Sequence, residues 1–267
     1  MLEASHLHFC ISNKAIVKQA SFRVEAGELV ALLGPNGAGK STLFKLLSGE
    51  AVCKHGEVLY NGKNIQGYKS SQLASIRAVM PQSSQLSFPF TAKEVVEMGL
   101  TMARSSSVTQ IVEEVMQLTQ TFAFRNAQYH HLSGGEKQRV QLARVLTQIW
   151  EKQPYTRYLL LDEPTSSMDI AQQQHVLKIV KGLKDRNIGI LAILHDLNLA
   201  ASYADRVILF KNGNLFAQGI TAEVMTSQHL GEVFDHPIQV ITNKERGSLM
   251  IHPVPQLNKK LFNYHTA

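Results

Sequence analysis

The chain has 267 residues, 44% of them hydrophobic, which is enough for a full core and excludes a disordered protein. Its two cysteines, Cys10 and Cys53, form no CxxC pair, so neither a zinc site nor a disulfide framework is indicated, as suits a reducing compartment. The net charge of +6 is spread without a Lys/Arg run, an RNA-binding aromatic motif or a zinc-finger spacing, and reads as a basic solvated surface compatible with a nearby membrane rather than a nucleic-acid footprint.

In chain order, Leu2–Ile11 and Ala15–Val24 read as short antiparallel strands. Leu29–Leu33 is a continuous apolar run that stops at Gly34, and Lys40–Ser48 then carries Leu43, Phe44, Leu46 and Leu47 ahead of Gly49, a helix C-cap. Ala78-Val79-Met80 is a short strand-like run followed by Pro81 and Gln82. From about Ser83 to Gln153 the sequence reads as helices. Thr91 caps the first with Glu94 three residues on, Val108–Leu118 sets Ile111, Val112, Val115 and Leu118 on one face, and Ser133 with Glu136 opens a third. That third helix carries Leu142, Val145, Leu146, Ile149 and Trp150 at helical spacing.

Tyr158–Leu161 and Ile188–Leu194 are two more apolar runs of strand length, with a helical pattern over Ala171–Lys184 between them. The alternation of strand and helix predicts an α/β core, into which 83–153 is inserted. Past Gln239, Val240-Ile241 and Leu249-Met250-Ile251 predict a hairpin, and Asn258–Ala267 is expected to be a mobile tail. No run approaches the roughly 20 apolar residues that span a bilayer, and Met1 leads into polar sequence, so no signal peptide is expected.

Gly34-Pro35-Asn36-Gly37-Ala38-Gly39-Lys40-Ser41-Thr42 matches GxxxxGK(S/T) in the required order of strand, loop and helix. In such a loop backbone N–H groups wrap phosphates, the lysine reaches the outer ones and the hydroxyl ligates Mg²⁺. Four further polar residues each follow a predicted strand: Gln82, Asp162, Glu163 and His195. Open α/β sheets bind ligands at that carboxyl edge. Singly these four have plainer readings as caps or loop residues. A second glycine-bearing stretch, Leu132-Ser133-Gly134-Gly135-Glu136, opens a helix whose free N–H groups favour an anion. It could instead be a capping box that binds nothing, but two adjacent glycines weaken a helix without improving its cap.

With LSGGE following a P-loop, the chain resembles the ATP-binding cassette family over about residues 2–255. The resemblance implies a P-loop NTPase fold of the RecA-like type, with a mostly parallel sheet, N-terminal antiparallel strands and an inserted helical subdomain. Residues 1–255 form one domain in this reading, its nucleotide-binding core at about 1–82 and 154–238 and its helical subdomain at about 83–153, with a hairpin and tail at 239–267. It implies ATP and Mg²⁺ as ligands, with Gly34 to Thr42 on the phosphates and Ser41, Gln82 and Asp162 on Mg²⁺. Glu163, His195 and Gln82 form the catalytic set it implies: Glu163 orients or activates the attacking water, His195 holds the γ-phosphate and that water, and Gln82 senses phosphate occupancy. Leu132 to Glu136 meets the ATP of a partner copy in a head-to-tail homodimer, whose interface Asp169 crosses.

One position departs from the family pattern. Ile11 stands where an aromatic commonly stacks on adenine, so base recognition is either weakened or falls to Phe9 or another group, and discrimination between ATP and GTP is expected to be modest.

Pro81-Gln82-Ser83-Ser84, Phe88-Pro89-Phe90-Thr91 and Leu194-His195-Asp196-Leu197-Asn198 resemble the importer class serving iron-siderophores, vitamin B12 and heme. Phe88-Pro89-Phe90-Thr91 and the stretch Glu151–Arg157 most resemble the heme-importing members. That class implies two permease subunits, a periplasmic binding protein that handles the substrate, no substrate contact by this chain, and a place on the cytoplasmic face of the bacterial inner membrane. Phe88, Phe90, Val95 and Met98 are candidates to receive a permease helix, with a core role as the alternative for Val95 and Met98. His130-His131 and His6 with His8 invite a heme or metal reading, which the absence of Cys/His ligand spacing disfavours. A soluble cassette acting on nucleic acid or ribosomes lacks its coiled coil or second cassette here, and a P-loop kinase or GTPase gives no reason for LSGGE.

Overall fold

The structure is a computed structural model and describes residues 1–82, 86, 88–102, 108–243 and 248–255. Ser83, Ser84 and the expected tail Asn258–Ala267 lie outside the described residues.

The chain opens with strands β1 (Leu2–Ile11) and β2 (Lys14–Val24), joined through Ser12 and Asn13. Both linking residues have positive φ, 45° and 67°, as a tight hairpin matched to strand twist requires. Strand β3 (Leu29–Leu33) is buried at every position and feeds helix α1 (Lys40–Ser48). Gly49 ends that helix at φ 77°, its N–H bonded to the Leu46 carbonyl. Strands β4 (His55–Tyr60) and β5 (Lys63–Asn64), helix α2 (Ser70–Ile76) and strand β6 (Arg77–Met80) follow.

Next come helices α3 (Ala92–Glu97), α4 (Val108–Leu118) and α5 (Gly134–Gln148), with 3-10 turns at Phe122–Phe124 and Tyr129–His131 between the last two. The first ends at Glu97, where a 3-10 segment, Met98–Met102, takes over. The capping box at Thr91 and Glu94 forms as its spacing predicts. The chain then returns to strands with β7 (Arg157–Asp162), α6 (Ile170–Gly182), β8 (Ile188–Ile193), α7 (Leu197–Tyr203), β9 (Arg206–Lys211) and β10 (Asn214–Ile220). Helices α8 (Thr221–Val224) and α9 (Ser227–Phe234) precede the C-terminal hairpin of β11 (Ile238–Asn243) and β12 (Ser248–Pro253).

The central sheet runs β10-β9-β3-β8-β7-β6. Its strands from β9 to β6 are parallel and only β10 is antiparallel. Alternate residues of each central strand feed opposite cores. Leu29, Ala31, Leu33, Leu159, Leu161, Ile190 and Ala192 join the core shared with α3 to α7. Val30, Leu32, Leu160, Leu191 and Ile193 join the core shared with α1 and the antiparallel sheet β2-β1-β4-β5. Burial on both faces is why these strands read as unbroken apolar runs.

Val95, a candidate for the permease surface, is fully buried with Val96 and Ala92, so it belongs to the core. Phe88 is 70% exposed, while Phe90 is half-buried against that core. Among the described residues, no helix is long and apolar enough to cross a membrane.

Candidate functional site

Because the central strands are parallel, the segments that leave their carboxyl ends gather on one edge of the sheet. After β3 the chain makes the loop Gly34 to Gly39 and enters α1 at Lys40. The Lys40 ammonium donates to the carbonyls of Gly34 (2.6 Å) and Pro35 (3.0 Å), so the loop is folded around its own lysine. Burial lowers the Lys40 pKa, opposed by the charges of Glu163 and Asp162. Gly39 takes φ 104°, and a Cβ there would come within 2.6 Å of the Ile16 carbonyl. The loop can therefore press against β2 only without a side chain at this position. A cleft of about 220 Å³ results, lined by Ile16, Asn36, Gly37, Gly39, Lys40, Ser41, Thr42, Glu163 and His195.

Asp162 ends β7 and is 7% exposed, with its Oδ1 buried and unpartnered among protein groups. Burial, and next the charge of Glu163, push its carboxyl up to about 6, while His195 and Lys40 pull the other way. A buried carboxylate oxygen without a partner, close enough to the P-loop Lys40 to feel its charge, is a fitting donor for a hard divalent cation such as Mg²⁺, directly or through water.

Glu163 takes a left-handed backbone, φ 54°. Its N–H donates to the Ile193 carbonyl (3.2 Å), which turns the chain sharply out of the sheet. Its Oε1 lies 2.5 Å from Nε2 of His195, which stands just past β8. Gln82 lies two residues past β6, whose Met80 pairs with Leu161, so it sits at the same rim one strand away. Its side chain is exposed and outside the cleft lining.

The second glycine stretch forms the start of α5. Ser133 caps it, with the Ser133 hydroxyl and backbone N–H both donating to Glu136 (2.7 and 2.8 Å). Those two bonds hold the Glu136 carboxyl below its ordinary pKa. A Cβ at Gly134 would lie 3.2 Å from the Ser167 Cβ, and one at Gly135 3.1 Å from the Ser167 carbonyl. The paired glycines thus have a packing reason within the chain, in addition to any anion they serve. None of Leu132 to Glu136 lines the P-loop cleft, so the two cradles do not meet within one chain. Asp169 caps α6 through the Gln172 N–H (2.8 Å) and is exposed, as is Ile170 beside it.

Two contributors were not anticipated from the sequence. Ile16, on β2, lines the cleft, whereas Ile11 is 53% exposed at the end of β1 and outside the lining, and Phe9 packs toward the core. A β-strand that crosses the loop has no motif, so only the alternation of β2 hinted at Ile16. Gln138, on α5, reaches Glu163: its Nε2 donates to the Glu163 carbonyl (3.4 Å) and to the Ser166 hydroxyl. Its position one turn beyond Gly134 was the available signal. The His130 and His131 rings lie edge to face at 4.0 Å, and among the described residues no three His, Cys, Asp or Glu side chains form a metal-holding group.

The sequence profile described as "ABC transporter" matches residues 17–166. The chain is 40% identical over 252 residues to the hemin import ATP-binding protein HmuV of Escherichia coli O157:H7, covering 94% of this chain and 98% of that protein. It is 42% identical over 245 residues to the HmuV of Rhizobium johnstonii, covering 90% and 92%. Among solved structures it is similar to a metal-chelate type ABC transporter in an inward-facing conformation, with a TM-score of 0.77, 26% identity and coverage of 95% and 97%. The fold also matches a dimeric ATP-binding cassette bound to ADP and Pi, at a TM-score of 0.72, 22% identity and coverage of 83% and 99%.

Proposed function

The chain belongs to the ABC transporter family, and on that basis we propose that it binds and hydrolyses ATP to drive import of heme through a separate membrane permease. The observation that carries the hydrolytic reading is the Glu163 and His195 pair on a cleft built from the P-loop. The heme reading draws on the relatives, which are named hemin import ATP-binding proteins.

In this reading Lys40 leaves the Gly34 and Pro35 carbonyls to meet the outer phosphates of ATP. Glu163 takes a water as hydrogen-bond partner and aims it at the γ-phosphorus, and His195 holds the γ-phosphate oxygen and that water. Phosphoryl transfer asks mainly for such positioning and for charge stabilisation. Ser41, Asp162 and Gln82 are the residues that would hold Mg²⁺, which when bound supplies positive charge to the phosphates. Leu132 to Glu136 serves the nucleotide of a second copy, because this segment stands apart from its own chain's cleft. The working unit is then a head-to-tail homodimer with Asp169 at its interface, bound to two permease subunits that a periplasmic binding protein loads. It lies on the cytoplasmic face of the bacterial inner membrane. Residues 1–255 act as one cassette, with 83–153 as its helical signature subdomain.

The test is reconstitution of this chain with a heme permease and its periplasmic partner in liposomes. Hemin should be taken up only with ATP, and Lys40→Ala should abolish uptake. Uptake of a ferric siderophore or cobalamin in place of hemin would overturn the substrate assignment.

A further inference from the structure

The left-handed backbone of Glu163 is disfavoured for a residue with a Cβ, so it persists only where its surroundings hold it. On one side its N–H is held by Ile193. On the other its carbonyl accepts from the Ser166 N–H (3.2 Å), the Ser166 hydroxyl (3.1 Å) and Gln138 Nε2 (3.4 Å). Of these hydrogen-bond partners, Gln138 alone comes from outside β8 and the turn itself. It sits on the helix that LSGGE opens, and Gly134 and Gly135 bring the start of that helix against Ser167. The Gln138 Oε1 is buried without a partner. An apolar side chain of the same length would avoid that cost. The amide thus has a use for its Nε2 alone, and that use is the Glu163 turn.

We propose that Gln138 is a positioning residue for Glu163: it fixes the turn that aims the Glu163 carboxylate at His195 and ties that turn to the LSGGE helix. The inference rests on the reading of Glu163 as the residue that places the attacking water. A shift of α5 on meeting the partner's nucleotide would then be passed to the chain's own Glu163.

Gln138→Met keeps the length and removes both the donor and the unpaired oxygen. Its kcat for ATP hydrolysis should fall about tenfold or more, as misplacement of a reacting group by a fraction of an ångström does. The KM for ATP should stay within about twofold, and the melting temperature should not fall, since the orphan is gone. Combined with Glu163→Gln, it should lower turnover no further, because both act on one group. An unchanged kcat, a loss that only follows a falling melting temperature, or an additive loss in the double variant would overturn the proposal. Gln138→Asn, which keeps an amide too short to reach, should show the same kcat loss and decides the matter if the methionine variant does not fold. Substantial turnover in Glu163→Gln alone would instead overturn the underlying reading of Glu163.

Discussion

Replacing Asp162 by asparagine should stabilise the nucleotide-free protein and abolish its response to magnesium and ATP. The carboxyl is 7% exposed with one unpartnered oxygen, and its pKa rises from the ordinary 3.8 to about 6, chiefly through burial and next through Glu163. About two units at roughly 1.4 kcal/mol each put the cost of ionising it in the folded state at about 3 kcal/mol. Because the folded-state value is the higher one, its stabilising contribution is complete below about pH 4 and is lost as pH rises through about 6. Asparagine stays neutral, so at pH 8 the empty variant should melt roughly 6 °C above the parent, with about half of that gap gone at pH 5. Adding Mg²⁺ and ATP at pH 8 should raise the parent's melting temperature and leave the variant nearly unmoved, because no anionic ligand remains at this position. Differential scanning fluorimetry at the two pH values, with and without nucleotide, reads all four numbers. A variant no more stable than its parent at pH 8, or one with the same Mg²⁺·ATP shift, would refute the reasoning.

Gly39→Ala forces a Cβ to within 2.6 Å of the Ile16 carbonyl at φ 104°, and should abolish ATP binding in a nucleotide-binding assay while leaving the far core intact by circular dichroism. Ser133→Ala removes the α5 cap, costing about 1 kcal/mol of stability in a denaturant titration. In the proposed dimer it should also cut turnover by more than that loss explains. Phe88→Ala trims a ring that is 70% exposed, so stability should stay within about 0.5 kcal/mol and basal hydrolysis should persist, while hemin uptake in liposomes is uncoupled. Phe88 is the cleaner test of that surface because Phe90 also packs on the core.

The parts of this chain proposed to carry chemistry were legible because each combines a local motif with an apolar run. Leu29–Leu33 before Gly34, and Arg157–Asp162 before Glu163, are strands buried on both faces, and their carboxyl ends locate the loop and the carboxylates. Thr91 with Glu94, and Ser133 with Glu136, announce helix starts through reciprocal hydrogen bonds that need only four residues. The C-terminal hairpin followed from its two short apolar stretches. Harder to read were β4, β9 and β10. The strand β4 begins with three exposed residues, His55, Gly56 and Glu57, and β10 alternates half-buried with exposed positions along a sheet edge. Least legible were contacts between distant segments. Gln138 meets Glu163 across 25 positions, Ile16 borders a loop that begins after the next strand, and Asn198 bonds both polar backbone atoms of Ile251 to clasp the hairpin onto α7. Such pairs depend on tertiary register, which no local window carries.

The central claim is that LSGGE of one copy completes the ATP site of another. Light scattering of Glu163→Gln at saturating Mg²⁺·ATP tests it most directly, since binding persists there while hydrolysis, and with it reopening, is blocked. The account predicts a monomer without nucleotide that becomes a dimer holding one ATP per chain, and a return to monomer when Gly135 is also replaced by aspartate. A Glu163→Gln protein that stays monomeric with ATP bound, or dimerises equally well after Gly135→Asp, would contradict it.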